Sequence, residues 1–109
     1  MRLFVTALFR LVPARGFMDT IRAKFPLGEI AATANVTKEV PHEELLLLLR
    51  RHAQCDWGDL EEHDQLANWH SLADGKRLVS SYETSSGRTV WIITEGDRSA
   101  TTMLLPTDY

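Results

Sequence analysis

The chain has 109 residues, 44% of them hydrophobic and 25% charged, with a net charge of −3. That length holds one domain, near the lower end of what buries its own core, and the composition excludes collagenous, disulfide-rich and strongly disordered classes. A single cysteine, Cys55, permits no intramolecular disulfide and leads us to expect a reducing, cytoplasmic setting, while no apolar run approaches the about 20 residues that cross a bilayer.

The first 17 residues, MRLFVTALFRLVPARGF, carry Arg2, Arg10 and Arg15 and no acid. Arg10 interrupts the apolar run and no small-x-small cleavage site follows, so a secretory signal is a poor reading. Residues 1–17 are instead expected to be an extension of doubtful structural role, with Met18 as the start and a single α+β domain over 18–109. "GEIAATA", 28–34, follows Pro26 and Gly28 and reads as a first strand.

"VPHEELLLLLRRHAQ", 40–54, reads as a helix. Pro41 suits its first turn, and Glu43 and Glu44 at one end with Arg50 and Arg51 at the other complement its dipole. Leu45, Leu48 and Leu49 share a stripe that can face a sheet, whereas Leu46 and Leu47 point partly elsewhere. Gly58 breaks the pattern. Asp59 followed by Glu62 resembles the opening of a capping box, so a second helix is expected from there to about Ala73, stopped by Asp74-Gly75.

The period then changes from 3.6 to 2. "RLVSSYE" (77–83), "RTVWIITE" (88–95) and "SATTMLLP" (99–106) read as strands, separated by "TSSG" and "EGDR" at hairpin lengths. The expected fold is α+β, in the order β-α-α-β-β-β: an antiparallel meander with two helices packed on one face.

Charge divides unevenly along this frame. Residues 18–38 carry +1, residues 76–109 balance at zero, and residues 39–75 carry −7, from nine acids against Arg50 and Arg51. A cationic cluster able to displace counterions is missing, which disfavours direct nucleic-acid binding and favours a basic protein surface as partner. The expected binding residues are the acids Asp56, Asp59, Glu61, Glu62 and Asp64, with Trp57 and Trp69 as anchors, since tryptophan is over-represented at binding hot spots. Asp59, Glu61 and Glu62 have a plainer explanation as first-turn acids that stabilise a helix dipole.

Other candidates are weaker. His63 and His70 lie two turns apart, about 10 Å by helical rise, and with His52 and Cys55 they make no zinc spacing, so no metal and no cofactor is expected. Cys55 falls near a helix C-terminus, where the dipole disfavours a thiolate nucleophile. Arg98, with Thr94, Thr101 and Thr102, either lines a polar surface or belongs to an ordinary turn, and turn chemistry favours the second. Trp91 and Tyr82 suggest, as a third reading, a small-ligand pocket between helices and sheet.

"HAQCDWGD", Asn68, "RLVSSY" and "GRTVWIITEGDRSATTMLLPTDY" resemble, in order and over about residues 25–109, a widespread family of short bacterial proteins. These are often plasmid- or mobile-element-encoded, of unassigned function, and sometimes labelled type I restriction subunits or plasmid-related proteins. Where that family has glycine before Asp-Trp-Gly, this chain has Cys55. The resemblance implies a mobile-element setting and supplies no chemistry of its own. Taken with the acidic block over 39–75, it leads us to expect a small, non-enzymatic protein-binding or regulatory factor, an anti-restriction or anti-CRISPR type of inhibitor being one form of it. A restriction methyltransferase is excluded by length and by the lack of a cofactor-binding glycine loop. The strand order is also similar to that of RelE-like ribonuclease toxins, which implies a metal-independent alternative with His52, Arg77, Tyr82 and Arg98 as catalytic groups.

Overall fold

The computed structural model of the protein describes Leu8–Leu11 and residues 21–109, an α+β fold of one mixed sheet and three helices. The strands are β1 (Leu8–Leu11), β2 (Glu29–Thr33), β3 (Leu78–Glu83), β4 (Thr89–Thr94) and β5 (Ala100–Leu104), in the spatial order β1-β2-β5-β4-β3. The helices α1 (Ala34–Glu39), α2 (His42–Ala53) and α3 (Glu62–Asp74) form the connection from β2 to β3.

Two hairpins join β3 to β4 and β4 to β5, so β5 returns beside β2 running parallel to it, with Ile30 opposite Thr101 and Ala32 opposite Met103. The sheet is therefore mixed, not purely antiparallel. It also has one strand more than expected, because Leu8–Leu11, within the stretch assigned to an extension, pairs antiparallel with β2. The remainder of that stretch lies outside the described residues.

A short helix was also missed in "ANVTKE", where Thr33 accepts from the Val36 N–H at 3.1 Å and so opens α1. The other two helices fall near their expected places. In α2 the leucine stripe does what its spacing requires: Leu45, Leu48 and Leu49 are buried, and Leu47 is exposed. Beyond it, Cys55 adopts a left-handed φ of 64°. Its N–H reaches the His52 carbonyl, and the Asp56 N–H reaches the Arg51 carbonyl, which is how a left-handed residue closes a helix. That conformation favours glycine, and here a cysteine adopts it.

Alternation gives each strand an inner face. Leu78, Ser80 and Tyr82 of β3, Val90, Ile92 and Thr94 of β4, and Met103 of β5 are buried, most of them against α2. The opposite face carries Val79, Ser81, Trp91 and Ile93, and the C-terminal tail folds back over part of it. There the Asp108 carboxylate is buried and accepts from Thr33, Asn35 and the Leu105 N–H, while the Tyr109 ring meets Trp91 edge-on at 5.8 Å.

The third helix departs from expectation. It does not lie beside α2 on a sheet face but runs along the outer edge of β3. The Asn68 amide donates to the Val79 carbonyl at 2.7 Å and accepts from the Val79 N–H at 3.1 Å, taking the place of a strand neighbour. Just upstream, the Ser81 N–H donates to the Trp57 carbonyl and the Asp59 N–H donates to the Ser81 carbonyl. Gly58 makes that approach feasible, since its φ is +76° and a Cβ there would sit 2.0 Å from the Ser81 carbonyl oxygen. The edge that would otherwise template aggregation is closed from end to end.

Candidate functional site

Three fates befall the residues singled out in the sequence. The first group is absorbed into the core. His52 is fully buried, with Nδ1 2.6 Å from Ser80 Oγ and Nε2 2.8 Å from Thr94 Oγ1. Thr94 Oγ1 lies 2.8 Å from Thr101 Oγ1, which donates to the Leu27 carbonyl at 2.7 Å. Each hydroxyl has one proton, so the chain runs in one direction. Thr101 gives its proton to Leu27, Thr94 gives its own to Thr101, and His52 therefore donates from Nε2 and accepts from Ser80 at Nδ1. Both ring nitrogens are committed, and burial, reinforced by the charge of Arg98, pushes the imidazole down to about 3.

Tyr82 is likewise buried, its hydroxyl donating to the Asp56 carbonyl at 2.6 Å. Burial pushes the Cys55 thiol up, away from a reactive thiolate. Trp57 is only 2% exposed, packed against Phe25, His52 and Trp69, so it is no surface anchor; the expectation that it would meet a partner is corrected here.

The second group holds loops and edges together. Arg98 donates to the carbonyls of Ser71, Lys76 and Glu95 and so ties the end of α3 to the β4–β5 turn. Its backbone sits at a left-handed φ of 61°, which is turn geometry. Arg77 donates to the Tyr109 hydroxyl and to Glu95. Among the described residues neither arginine reaches His52 or Tyr82 by a hydrogen bond, and the two side chains that would have to act beside them are buried in the core.

Two of the five acids also belong in this structural group. Asp56 accepts from the Arg51 guanidinium at 2.7 Å and from the Gly58 N–H at 3.1 Å, and the guanidinium holds its carboxyl below the usual range. Asp59 was expected to open α3, but its carboxylate accepts from the Glu83 N–H at 3.0 Å and so finishes the sealing of β3. The helix begins at Glu62 instead, with Glu61 as its cap residue, and ends at Gly75 in the left-handed region as the sequence suggested.

The third group faces solvent. Glu61 and Glu62 are exposed and form no ion pair among the described residues, and the Asp64 carboxylate meets only the exposed His63. Along α3, Glu62, Leu66 and Trp69 form one outward stripe, with Leu66 57% and Trp69 49% exposed. Trp69 also rests edge-on against Trp57 at 5.7 Å. Among the described residues no group of three or more His, Cys, Asp or Glu side chains is placed to hold a metal ion. His63 and His70 are both exposed.

A second stripe of α3, Asp64, Ala67 and Ser71, overhangs the outer face of the sheet. Between them run two adjoining hollows of about 390 and 420 Å³ that share Leu60, Asp64 and Val79. Asp59, Glu61 and Trp91 complete one, and Arg77 stands at the far end of the other. The sequence suggested a pocket between helices and sheet lined by Trp91 and Tyr82; Trp91 does line this groove, whereas Tyr82 is buried on the other face of β3. The alternation in β4 turns Trp91 away from the core, which was legible, but that Ser81 would lie opposite it was not.

No protein-family model matches the chain, and neither a curated protein nor a solved structure matches it.

Proposed function

We propose that the protein is a small, non-enzymatic binding or regulatory factor of a mobile element, acting in the cytoplasm as an anti-restriction or anti-CRISPR type of inhibitor. Its contact surface is the N-terminal half of α3, with Glu61, Glu62, Asp64 and Trp69 presented to a basic surface of a host defence or nucleic-acid-handling complex. One observation carries this reading: α3 buries only Asn68, yet shows solvent two large apolar side chains beside carboxylates that have no arginine or lysine partner among the described residues. A helix that turns one apolar stripe outward in this way is suited to meet a partner. Opposed charge then steers the encounter and sets its register.

The RelE-like ribonuclease alternative has less behind it. His52 and Tyr82 would have to reach a phosphate from inside the core, and both already spend their polar atoms on internal partners.

The test is capture from a bacterial host lysate followed by quantitative binding to the purified partner. Binding is expected to weaken as salt rises. The combined change Glu61→Gln, Glu62→Gln and Asp64→Asn is expected to lower affinity by about tenfold or more, the effect of a single lost pair at the low end of measured charge couplings. Affinity that ignores both salt and these substitutions overturns the reading.

A further inference from the structure

The outward stripe of α3 is not the only surface this helix offers. On its other flank the groove above the sheet is open because the side chains along it are small. Ala67 and Ser71 on the helix, with Val79 and Ser81 on β3, leave room that Trp91 alone does not fill. The lining is largely apolar, with Leu60 and Val79 along both hollows and the Trp91 indole in one of them. One end is rimmed by Asp59, Glu61 and Asp64, which have no arginine or lysine partner among the described residues. At the other end the one cation, Arg77, is already engaged by Glu95 and the Tyr109 hydroxyl and does not offset that charge.

From this geometry we infer that the groove is a receptor for a single arginine side chain, carried on an exposed basic segment of the partner protein. The inference rests on the reading of α3 as a docking helix and names what it recognises. Charge complementarity selects a cation. The shape selects arginine over lysine: a long aliphatic stem can lie along Leu60 and Val79, and a flat guanidinium can stack on an indole and offer several donors to carboxylates. A compact ammonium satisfies the carboxylates but gains less from the ring. An acidic or neutral side chain gains from neither.

The test uses the full chain, labelled with 15N, and three capped pentapeptides that differ only in a central arginine, lysine or glutamate. The protein has three tryptophans, and each indole N–H reports a different place: Trp57 the core, Trp69 the outward stripe, Trp91 the groove. The arginine peptide is expected to move the Trp91 indole signal in a saturable way, together with the amides of Val79 and Ser81. The lysine peptide should need several-fold more ligand for the same movement, and the glutamate peptide should produce none. Asp64→Asn is expected to raise the half-saturation concentration about tenfold, the size of a lost charge-assisted hydrogen bond. Ala67→Arg places a cation in the groove from an exposed helical position, so the fold survives and the peptide response should vanish.

Movement of the Trp69 signal without Trp91 overturns the inference, because the arginine then docks on the outward stripe. So does an equal response to the arginine and glutamate peptides, or no response to any of them. In each of those cases salt-sensitive capture of the native partner judges the parent reading separately: if it persists, only the groove assignment has failed.

Discussion

The two long helices look alike in sequence and are held by different physics. α2 buries Leu45, Leu48, Leu49, His52 and Ala53, so it is fixed by apolar area removed from water. α3, one residue longer, fully buries only Asn68. Leu72 packs partly buried against the core and Trp69 edge-on to Trp57, and hydrogen bonds carry a larger share of its attachment: the Asn68 amide on the β3 edge and the Arg98 guanidinium on the Ser71 carbonyl. Hydrogen bonds are directional and modest in net worth, whereas burial is non-directional and large. A helix held in the first way leaves its flanks free for other surfaces, and a helix held in the second way does not. The division follows: α2 supplies much of the core, and α3 keeps a flank in solvent.

The largest effect expected from this contrast is at Leu49, which is fully buried in α2. Leu49→Ala should destabilise by about 2–5 kcal/mol, the transfer loss plus a residual cavity. Urea unfolding checks it: the midpoint should fall while the slope stays unchanged. A loss under about 1 kcal/mol would mean that the site collapses freely and that the leucine stripe is not what fixes α2.

Second in size is the response to acid through His52, the polar member of the same buried stripe. Its folded value of about 3 lies below the ordinary 6.5, so between those values the unfolded chain binds a proton that the native chain refuses. Stability is therefore full above about pH 6.5 and falls as pH drops, by about 1.4 kcal/mol per unit. Asp56 and Asp108 have lowered values. For Asp56 the Arg51 hydrogen bond leads; for Asp108 burial raises the value, but hydrogen bonds from Thr33, Asn35 and the Leu105 N–H outweigh it. Both add their losses only below the ordinary Asp value of 3.8, so the window from pH 4 to 6.5 isolates His52. Across it roughly 3 kcal/mol should disappear. His52→Gln should start lower in stability but flatten that slope, and an unchanged slope would assign the acid sensitivity elsewhere.

The stripe also shows how far the sequence could be read. Leu45, Leu49 and His52 fall at i, i+4 and i+7, so the burial of His52 was implicit in the same spacing that placed the leucines. Its partners were not, because Ser80 and Thr94 lie 28 and 42 residues away and only strand register brings them under α2. The inward set of β4 was legible from alternation. The position of α3 was not, since pattern reading looks for an apolar stripe and the contact is an asparagine imitating a strand. Asp59 was misread for the same reason: a carboxylate three residues before Glu62 fits a cap, and nothing local signals that the Glu83 N–H competes for it. β1, four residues without an alternating pattern, gave too weak a signal to outweigh reading residues 1–17 as an extension.

Asn68 itself gives the third effect. Asn68→Ala should cost about 1–3 kcal/mol, because it leaves the Val79 N–H and carbonyl unpaired at the strand edge. The diagnostic readout is local: hydrogen exchange at the Val79 amide should accelerate far more than at Ile92, which is held inside the sheet. Equal acceleration at both would show that α3 is integral to the global fold and is not a separately docked unit.

The smallest effect on stability is the most telling for function. Leu66 is the same residue type as Leu49 and sits mid-helix, but it is 57% exposed and packs on the outward stripe between Glu62 and Trp69. Leu66→Ala removes little buried area and should shift stability within about 0.5 kcal/mol. At that exposed position alanine is at least as good a helix former, so the free protein gains little from the leucine. If the stripe is a contact surface, its removal should appear as faster dissociation from the partner with an association rate set by the untouched carboxylates nearly unchanged. Calorimetric or surface-binding measurements on Leu66→Ala would separate these. A loss of association rate instead would place the apolar stripe in the encounter and the acids in the bound complex, reversing the roles assigned to the two halves of the surface.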